Sequence, residues 1–382
     1  WTMMRKKMYR CAAAVVMIIY IGMFGVLQAP TVYAASGGNA SVVIEAETGR
    51  VLFASNPNLE LPMASTTKIM TALVALEHGE LDAPVEIPDE AVGVEGSSIY
   101  LKHGETLTLE ELLYGLMLSS GNDAAVAIAC HIGGSVQGFV DMMNQKAGQL
   151  GAENTHFMNP NGLQDESHYT SARDLANITA AAMQHPTFRK ICSTQYKEIS
   201  GPDGGKRTLK NKNKILWQYE GGNGVKTGYT KAAGKCLVSS AKREDMQLIC
   251  VVLNSSNMFG ESMELLNQSF NDFDYASVLS QGEPLGVIPV RGSELKEVSI
   301  TMDTDIRLPL TQEEQNAVDI KVSLVPLLQA PVSAGSKVGQ LELFVSDVKV
   351  LDMDILLHQD ILEKSWGSWL GDILKEWQFL GH

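Results

Sequence analysis

Three patterns of hydrophobic and polar residues follow one another along the body of the chain. Between about residues 39 and 275, short apolar runs rich in β-branched residues are typical of strands; they are SVVIEA and RVLFA at the start and CLVSSA and LICVVL near the end. The part between them has apolar residues at helical spacing. This arrangement predicts an α/β (α+β) domain over residues 36–275, in which terminal strands enclose a helical insert.

Capping signals mark several helix ends in this insert. Thr108 followed by Glu111 fits a capping box in front of the apolar run LLYGLML. Ser171 or Thr170 is placed to cap the helix SARDLANITAAAM, and Gly151 follows another amphipathic run. We therefore expect helices to begin at Thr108 and near Ser171, and one to end at Gly151.

Two further patterns follow the first domain. In residues 282–350, apolar and polar residues alternate between Gly, Pro and Asp turns, which predicts a small all-β domain. Residues 354–382 carry an apolar stripe at helical spacing, made of Leu362, Trp366, Trp369, Leu370, Ile373, Trp377 and Leu380. Because indole rings favour the lipid headgroup layer, we expect an amphipathic helix that associates with a membrane surface. The alternative is a helix packed on its own domain, and the segment's net negative charge weakens the case for anionic lipid.

The N-terminal residues 1–34 have the layout of a secretory signal. Arg5, Lys6, Lys7 and Arg10 precede an apolar run to about Val26, and small residues follow. We expect cleavage after the sequence Val32-Tyr33-Ala34; an uncleaved membrane anchor is the alternative, because the apolar run is long for a signal. Either way the body of the protein is expected outside the cytoplasm, at the outer face of the membrane or in the cell wall.

Charge and composition narrow the possible partners. The formal net charge of −14 argues against nucleic acid, because phosphate binding needs a cationic face. The cysteines show no disulfide framework, and Cys236 and Cys250 lie in strand-like runs where buried free thiols are expected. No histidine or cysteine motif indicates a metal site, and nothing indicates a cofactor.

The first candidate for chemistry is the stretch ASTTKIM, in which Ser65 and Lys68 are one helical turn apart. The apolar periodicity of IMTALVALEHG and the stop at Gly79 place Ser65 at a helix N-terminus, where the dipole favours negative charge on the hydroxyl oxygen. If the site is desolvated or holds another cation, the pKa of Lys68 falls and its neutral amine can accept the serine proton. The motif alone is weak, since it recurs at Ser239 and Lys242; there it lies in a strand-like run and its ends face opposite sides.

Two further motifs are also weak when taken singly. Ser120-Gly121-Asn122 separates two helical runs and suits a loop that presents a hydroxyl and an amide to a cleft. Taken without its context, Asn122 is better interpreted as a helix cap. Lys226-Thr227-Gly228 lies between glycines in a strand-like run, where an ammonium and a hydroxyl together suit a carboxylate. A phosphate loop is rejected because the residue order is Lys-Thr-Gly rather than Gly-Lys-Thr and no Walker pattern precedes it.

The order and spacing of the three motifs indicate a function more specifically than any single motif does. Ser65, Ser120 and Lys226 follow one another at separations of about 55 and 106 residues, as in the penicillin-recognising serine enzymes. With these motifs, and with GVKTGYT, the NPNGL and HYTSARDLA stretches, the β domain and the tail, the chain resembles the serine D-alanyl-D-alanine carboxypeptidases, the low-molecular-weight penicillin-binding proteins of peptidase family S11, in their DacF-like branch. The resemblance implies a β-lactamase-like domain with an antiparallel sheet.

The resemblance also implies roles for individual residues. Ser65 would be the acylated nucleophile, Lys68 its base, and Ser120 the proton relay to the leaving D-alanine. Asn122 would bind the substrate amide. Lys226 and Thr227 would hold the terminal carboxylate, in the Lys226-Thr227-Gly228 motif. The backbone N–H groups of Ser65 and Tyr229 would form the oxyanion hole. The implied substrates are peptidoglycan stem peptides ending in D-Ala-D-Ala, with β-lactams as inhibitors.

One departure and several alternatives stay open. Some relatives have an arginine after the last core strand that assists carboxylate binding, whereas this chain reads LNSSNMFGES there. A class A β-lactamase would share the three motifs, but no ExxLN-type loop is found between Asn122 and Lys226. Transpeptidase or endopeptidase activity would use the same pocket. A penicillin sensor or wall-binding module that is acylated without turnover is the alternative from a different class.

Overall fold

The computed structural model describes residues 39–367 and Leu370, and the expected signal segment 1–34 lies outside them. The α-helices of the described part are α1 (Lys68–His78), α2 (Leu109–Leu118), α3 (Asn122–Gly133), α4 (Val136–Gln149), α5 (Ala172–Met183), α6 (Pro186–Ser193), α7 (Ile215–Gln218) and α8 (Met258–Asp272). The strands are β1 (Ala40–Glu45), β2 (Val51–Ser55), β3 (Pro84–Glu86), β4 (Thr106–Thr108), β5 (Tyr196–Ser200), β6 (Lys206–Lys210), β7 (Gly222–Thr230), β8 (Gly234–Arg243), β9 (Met246–Ser255), β10 (Asp274–Leu279), β11 (Pro284–Arg291), β12 (Glu297–Thr301), β13 (Ile306–Leu310), β14 (Val318–Leu324), β15 (Leu328–Gln329), β16 (Lys337–Val345) and β17 (Val348–Leu356).

The main sheet joins the two ends of the first domain. Its strand order is β2-β1-β9-β8-β7, and each neighbouring pair is antiparallel. Val42 and Ile44 of β1 face the core of the helical insert, whereas Val43 faces α8, which contributes Leu266. Because both faces are covered by helices, β1 is buried along its whole length. The predicted α/β fold with an antiparallel sheet and a helical insert is confirmed.

The capping predictions for the insert are confirmed. The Thr108 hydroxyl accepts a hydrogen bond from the Glu111 backbone N–H at 3.2 Å, and the Glu111 carboxylate accepts one from the Thr108 N–H at 3.0 Å. This is a complete capping box at the start of α2. Ser171 caps α5 by accepting from the N–H of Asp174, and α4 ends just before Gly151, which has a φ of +66°.

The second domain is built of strands around its own hydrophobic core and is longer than the expected 282–350. β10, which begins at Asp274, pairs with β13, and β17 pairs with β16 as far as Leu356. β10 spans the expected boundary at residue 275: it pairs with β13 of the second domain, while Tyr275 packs against the core of the first. Residue periodicity indicates that a strand exists, but it does not show which sheet the strand joins, so the boundary could not be placed from the pattern.

The C-terminal tail differs from its expected start. Residues 354–356 belong to β17, so the helix expected over residues 354–382 does not begin at residue 354. Trp366 and Leu370 are helical, Trp366 is 91% exposed, and most of the remaining tail lies outside the described residues. Between residue 39 and Leu370, no single described helix is long and apolar enough to span a membrane; α3 and α4 meet that standard only as a pair bent by 84°.

The two domains meet at the turn between β1 and β2. The guanidinium of Arg50, which follows this turn, contacts the backbone carbonyl of Pro309 and lies 2.5 Å from the carboxylate of Glu314. The same group lies over the ring of Phe273, 5.6 Å from its centroid. Arg50 therefore attaches the β domain to the edge of the main sheet.

A shielded ion pair holds the β5–β6 hairpin against the segment that precedes β4. Arg207 on β6 donates two hydrogen bonds to the Glu105 carboxylate, at 2.5 and 2.7 Å, and others to the carbonyls of Ile99 and Tyr100. The two charged side chains are only 11% and 9% exposed. Burial alone would raise the pKa of Glu105, but the hydrogen bonds from Arg207 and from the Lys102 backbone N–H, together with the charges of these two residues, hold the pKa below 4.5.

We expect this pair to contribute measurably to stability. A double-mutant cycle of Arg207→Met and Glu105→Gln, measured by urea unfolding at pH 7, should give a coupling free energy of about 1 to 3 kcal/mol. Because the folded pKa of Glu105 is lowered, this contribution is present above pH 4.5 and is lost as the pH falls through the folded pKa.

The matched control is the exposed pair Lys206–Glu198 on the same hairpin, where solvent screens the charges. The corresponding cycle of Lys206→Met and Glu198→Gln should show little coupling at any pH. Equal coupling in the two pairs would contradict the role assigned to the shielded one.

Candidate active site

The predicted serine and lysine lie side by side where the chain enters α1. Ser65 belongs to a short 3-10 helix, Ala64–Thr67, and the α-helix itself begins at Lys68. The serine therefore sits one turn before the α-helix and not inside its first turn, which refines the expected placement. Lys68 Nζ lies 3.0 Å from Ser65 Oγ, as the spacing of the motif predicts.

The Lys68 amine has two further partners. Its Nζ is 2.7 Å from Asn122 Oδ1 and 2.5 Å from the backbone carbonyl oxygen of Asn161. A neutral amine has two hydrogens and one lone pair. It can donate to these two carbonyl oxygens while its lone pair faces the hydroxyl of Ser65.

Burial favours the neutral form of this lysine. Lys68 is fully buried, and its pKa lies well below 10.5, first because of desolvation and then because of the charges of Lys226 and Lys212; the carboxylate of Asp123 opposes these effects. Both conditions named in the sequence analysis, desolvation and a nearby cation, are therefore met. The surroundings of Lys68 therefore favour its neutral amine over the charged ammonium.

The second and third motifs meet at the other side of the cleft. Lys226 on β7 lies with its Nζ 3.1 Å from Ser120 Oγ, and it also donates to the carbonyl of Thr227 at 2.9 Å. Ser120 adopts a left-handed conformation, with a φ of +62°, between α2 and α3. Burial, with the charge of Lys212 second, lowers the pKa of Lys226 to about 7. Lys226 is therefore a cation whose charge depends on pH near neutrality.

β7 runs directly beside the serine turn. A Cβ atom added to Gly228 would lie 3.0 Å from the Met63 carbonyl oxygen and 3.1 Å from the Ser65 nitrogen, so glycine allows this close approach. Thr227 is half-buried, and Tyr229 is 66% exposed. The segment Lys226–Tyr229 therefore lies beside the turn that carries Ser65.

Asn122 has a different position from that of a helix cap. It is the first residue of α3, and Gly121 precedes it as the cap residue. Its side-chain N–H group donates to the Glu95 carbonyl at 2.5 Å while its oxygen faces Lys68. The alternative interpretation as a cap is wrong, and the amide connects the first and second motifs.

Several contributors were missed by the sequence analysis. The Asp123 carboxylate accepts hydrogen bonds from the backbone N–H groups of Ile99 and Leu101 and so holds this segment next to Asn122. Lys212 donates to Ser97 Oγ at 3.0 Å and is the third lysine whose charge acts on the site. The Asn161 carbonyl, in the NPNGL stretch, belongs to the backbone, so no residue type could have indicated its role.

Other noted residues lie away from this cleft. Ser239 and Lys242 are on β8, where Ser239 is buried beside Ser262 and Lys242 is exposed, so the second copy of the motif does not form a pair. The remaining cysteines of the described part are free, and Cys236 and Cys250 are buried as expected. Within residues 39–367 and Leu370, no group of three or more His, Cys, Asp or Glu side chains could hold a metal ion.

An antiparallel sheet flanked by helices, with a serine–lysine pair facing a second serine and lysine, defines a penicillin-recognising serine hydrolase. Residues 27–257 match the family described as D-alanyl-D-alanine carboxypeptidase, peptidase family S11, and residues 273–363 match the C-terminal domain of penicillin-binding protein 5. The chain belongs to the S11 D-alanyl-D-alanine carboxypeptidase family.

Individual relatives agree with this assignment over nearly the full length. The chain is 31% identical to the D-alanyl-D-alanine carboxypeptidase DacF of Bacillus subtilis, over 94% of this chain and 97% of that protein. It is 32% identical to DacA of Escherichia coli, over 89% and 87% of the two chains. Penicillin-binding protein 5 of Haemophilus influenzae superposes with a TM-score of 0.72 at 30% identity, covering 88% of this chain and all of that one.

The loop that supplies the Asn161 carbonyl gives a test of the site. Gly162 has a φ of +88°, and a Cβ there would lie 2.0 Å from the Ala64 carbonyl oxygen and 2.9 Å from the Ser65 nitrogen. We expect Gly162→Ala to lower the free energy of unfolding by about 1 to 3 kcal/mol. It should also slow acylation by penicillin by roughly tenfold or more, because the turn must move and Ser65 is then displaced from its reactive position.

The matched control is Gly148→Ala in α4, where an added Cβ meets nothing within 4 Å. This variant should be as stable as the native protein or slightly more so, with a native acylation rate. Unfolding by urea and stopped-flow acylation measure the two quantities. Native behaviour of Gly162→Ala would show that the loop does not constrain the serine.

Proposed function

We propose that this protein hydrolyses the terminal D-Ala-D-Ala bond of peptidoglycan stem peptides through an acyl-enzyme on Ser65. Membership of the S11 family supports the reaction. The observation that carries the assignment of residues is the environment of Lys68: a fully buried amine with two carbonyl partners and a serine hydroxyl 3.0 Å away. The reaction releases D-alanine and shortens the stem peptide. Because the shortened peptide has lost its terminal D-Ala-D-Ala bond, fewer donors are available for cross-linking.

Acylation follows from these positions. The neutral Lys68 amine accepts the proton of Ser65 Oγ as the oxygen attacks the carbonyl carbon of the penultimate D-alanine. The N–H groups of Ser65 and Tyr229 stabilise the oxyanion of the tetrahedral intermediate. The C–N bond then breaks, the departing amine receives a proton through Ser120, and D-alanine leaves. The acyl group stays on Ser65.

Recognition of the substrate uses the opposite wall of the cleft. Lys226 and Thr227 hold the terminal carboxylate, and Asn122 binds the substrate amide. The arginine present after the last core strand of some relatives has no counterpart in LNSSNMFGES. We assign part of its electrostatic contribution to Lys212, which is close enough to act on both Lys68 and Lys226. A second cation besides Lys226 near the carboxylate strengthens its binding.

Deacylation regenerates the enzyme. A water molecule attacks the ester carbonyl on Ser65, the Lys68 amine accepts its proton, and the peptide leaves as the serine recovers its hydrogen. An amine acceptor in place of water would give transpeptidation by the same route. The sensor alternative differs only in that the acyl group would remain on Ser65.

We also propose that the protein is exported and acts at the outer face of the cytoplasmic membrane. The support is the charged and then apolar pattern of residues 1–34 and the tryptophan-rich stripe of residues 354–382. The exposure of Trp366 agrees with a tail that has an apolar side available for a surface.

Acylation by penicillin tests the nucleophile. The mature protein should carry one penicilloyl group, and peptide mapping should find it on Ser65; Ser65→Ala should show no labelling. Lys68→Ala should acylate about 100- to 10,000-fold more slowly with a native circular dichroism spectrum, because the base is lost. An adduct on any other residue would contradict the assignment.

A turnover measurement on the same protein distinguishes the proposed carboxypeptidase from the alternative functions. A peptide ending in D-Ala-D-Ala should yield many equivalents of D-alanine per protein molecule. A single equivalent with a persistent adduct would identify a sensor, and rapid release of penicilloate without D-alanine release would identify a β-lactamase.

The two active-site lysines should give a bell-shaped pH profile of kcat/KM. Activity should rise with pH as Lys68 loses its proton, since only the neutral amine is a base. It should fall above about pH 7 as Lys226 loses the charge that holds the carboxylate. Lys226→Arg, whose side chain stays charged, should lack this alkaline decline. A decline that persists unchanged in Lys226→Arg would refute the role of Lys226.

A further inference from the structure

The peptide bond between Ala64 and Ser65 is held from one side. Its carbonyl oxygen accepts a hydrogen bond from Thr67 Oγ1 at 2.9 Å, and Thr67 is fully buried. Ala64 itself has a φ of +48°, a left-handed conformation that is unfavourable for alanine and needs support from its surroundings. The carbonyl and the N–H of a trans peptide point in opposite directions, so the bond that fixes the Ala64 carbonyl also orients the Ser65 N–H.

His168 fixes the threonine hydroxyl. Its Nδ1 accepts the backbone N–H of Met158 at 3.0 Å, so in the neutral ring the proton is on Nε2. Nε2 lies 2.7 Å from Thr67 Oγ1 and donates to it, which leaves the threonine proton for the Ala64 carbonyl. Burial lowers the pKa of His168 to about 4, in agreement with a ring that is neutral at ordinary pH.

The Ser65 nitrogen lies next to β7. Gly228 approaches the Ser65 nitrogen so closely that an added Cβ would lie 3.1 Å from it, and Tyr229 is the next residue along the strand. The two backbone donors assigned to the oxyanion hole therefore belong to neighbouring segments, and their relative position depends on the orientation of the Ala64–Ser65 peptide.

We propose that Thr67 and His168 are positioning residues of the oxyanion hole. They form a relay of two hydrogen bonds, from His168 Nε2–H to Thr67 Oγ1 and from Thr67 to the Ala64 carbonyl, that keeps the Ser65 N–H directed at the developing oxyanion. The inference rests on the proposed function, because it assigns the support for one of its catalytic groups. Neither side chain touches the substrate.

The test is Thr67→Val, which keeps the shape of the side chain and removes the hydroxyl. Oxyanion contacts strengthen in the transition state, so the variant should lose about 10- to 100-fold in kcat and in the rate of penicillin acylation, with little change in KM. Affinity for an arylboronic acid, whose tetrahedral adduct places an oxygen in the hole, should fall by a similar factor. Thr67→Ser restores the hydroxyl and should recover most of both losses.

Thr66→Val is the matched control. Thr66 lies in the same turn, is equally buried, and its hydroxyl donates to the Met63 carbonyl instead of the Ala64 carbonyl. The two valine variants should lose similar stability in thermal unfolding, while Thr66→Val keeps acylation and boronate binding close to native. His168→Gln, which can still donate to the threonine hydroxyl, should lie between Thr67→Val and the native protein.

Two outcomes would overturn the inference. One is native kcat and boronate affinity in Thr67→Val; the other is an equal loss in Thr66→Val, which would indicate general damage to the turn. Failure of the proposed function would look different, because the native protein itself would then show no adduct on Ser65.

Discussion

The site depends on an amine that is kept away from water. Lys68 is fully buried between two carbonyl oxygens and a serine hydroxyl, and a charged ammonium there would lose its hydration and face the charges of two further lysines. Removing the proton relieves both costs. The fold therefore makes a base of a residue that is a cation in water, and Ser65 is the hydroxyl within its reach.

Three distant parts of the chain must meet for this to happen. The 3-10 turn and the start of α1 carry Ser65 and Lys68. The α2–α3 junction and the start of α3 carry Ser120 and Asn122, and β7 carries Lys226. The insert is packed against the sheet, and the loop containing Gly162 lies against the serine turn, so small residues are required where backbones approach. Asp123, next to Asn122, helps to hold the site together because its carboxylate accepts hydrogen bonds from the backbone N–H groups of Ile99 and Leu101.

Sequence patterns predicted the parts of this arrangement that depend on side-chain type and on the local periodicity of apolar residues. The sheet, the helix caps, the serine–lysine pair and the strand position of Lys226 all follow from such signals. The Asn161 carbonyl could not be predicted, because every residue has one and its direction depends on the folded loop. Lys212 and His168 act across long sequence separations, and the start of the second domain depends on the pairing of β10 with β13.

Charge balance connects substrate binding to the base in the proposed reaction. Lys226 has a pKa of about 7 in the free protein, and a bound carboxylate favours its charged form. This ion pair has little net charge. It therefore lowers the pKa of Lys68 less than a charged Lys226 without a bound carboxylate does. When D-alanine leaves, it takes the carboxylate with it, and any positive charge that remains on Lys226 again lowers the pKa of Lys68. Product release therefore favours the neutral amine that the deacylating water requires.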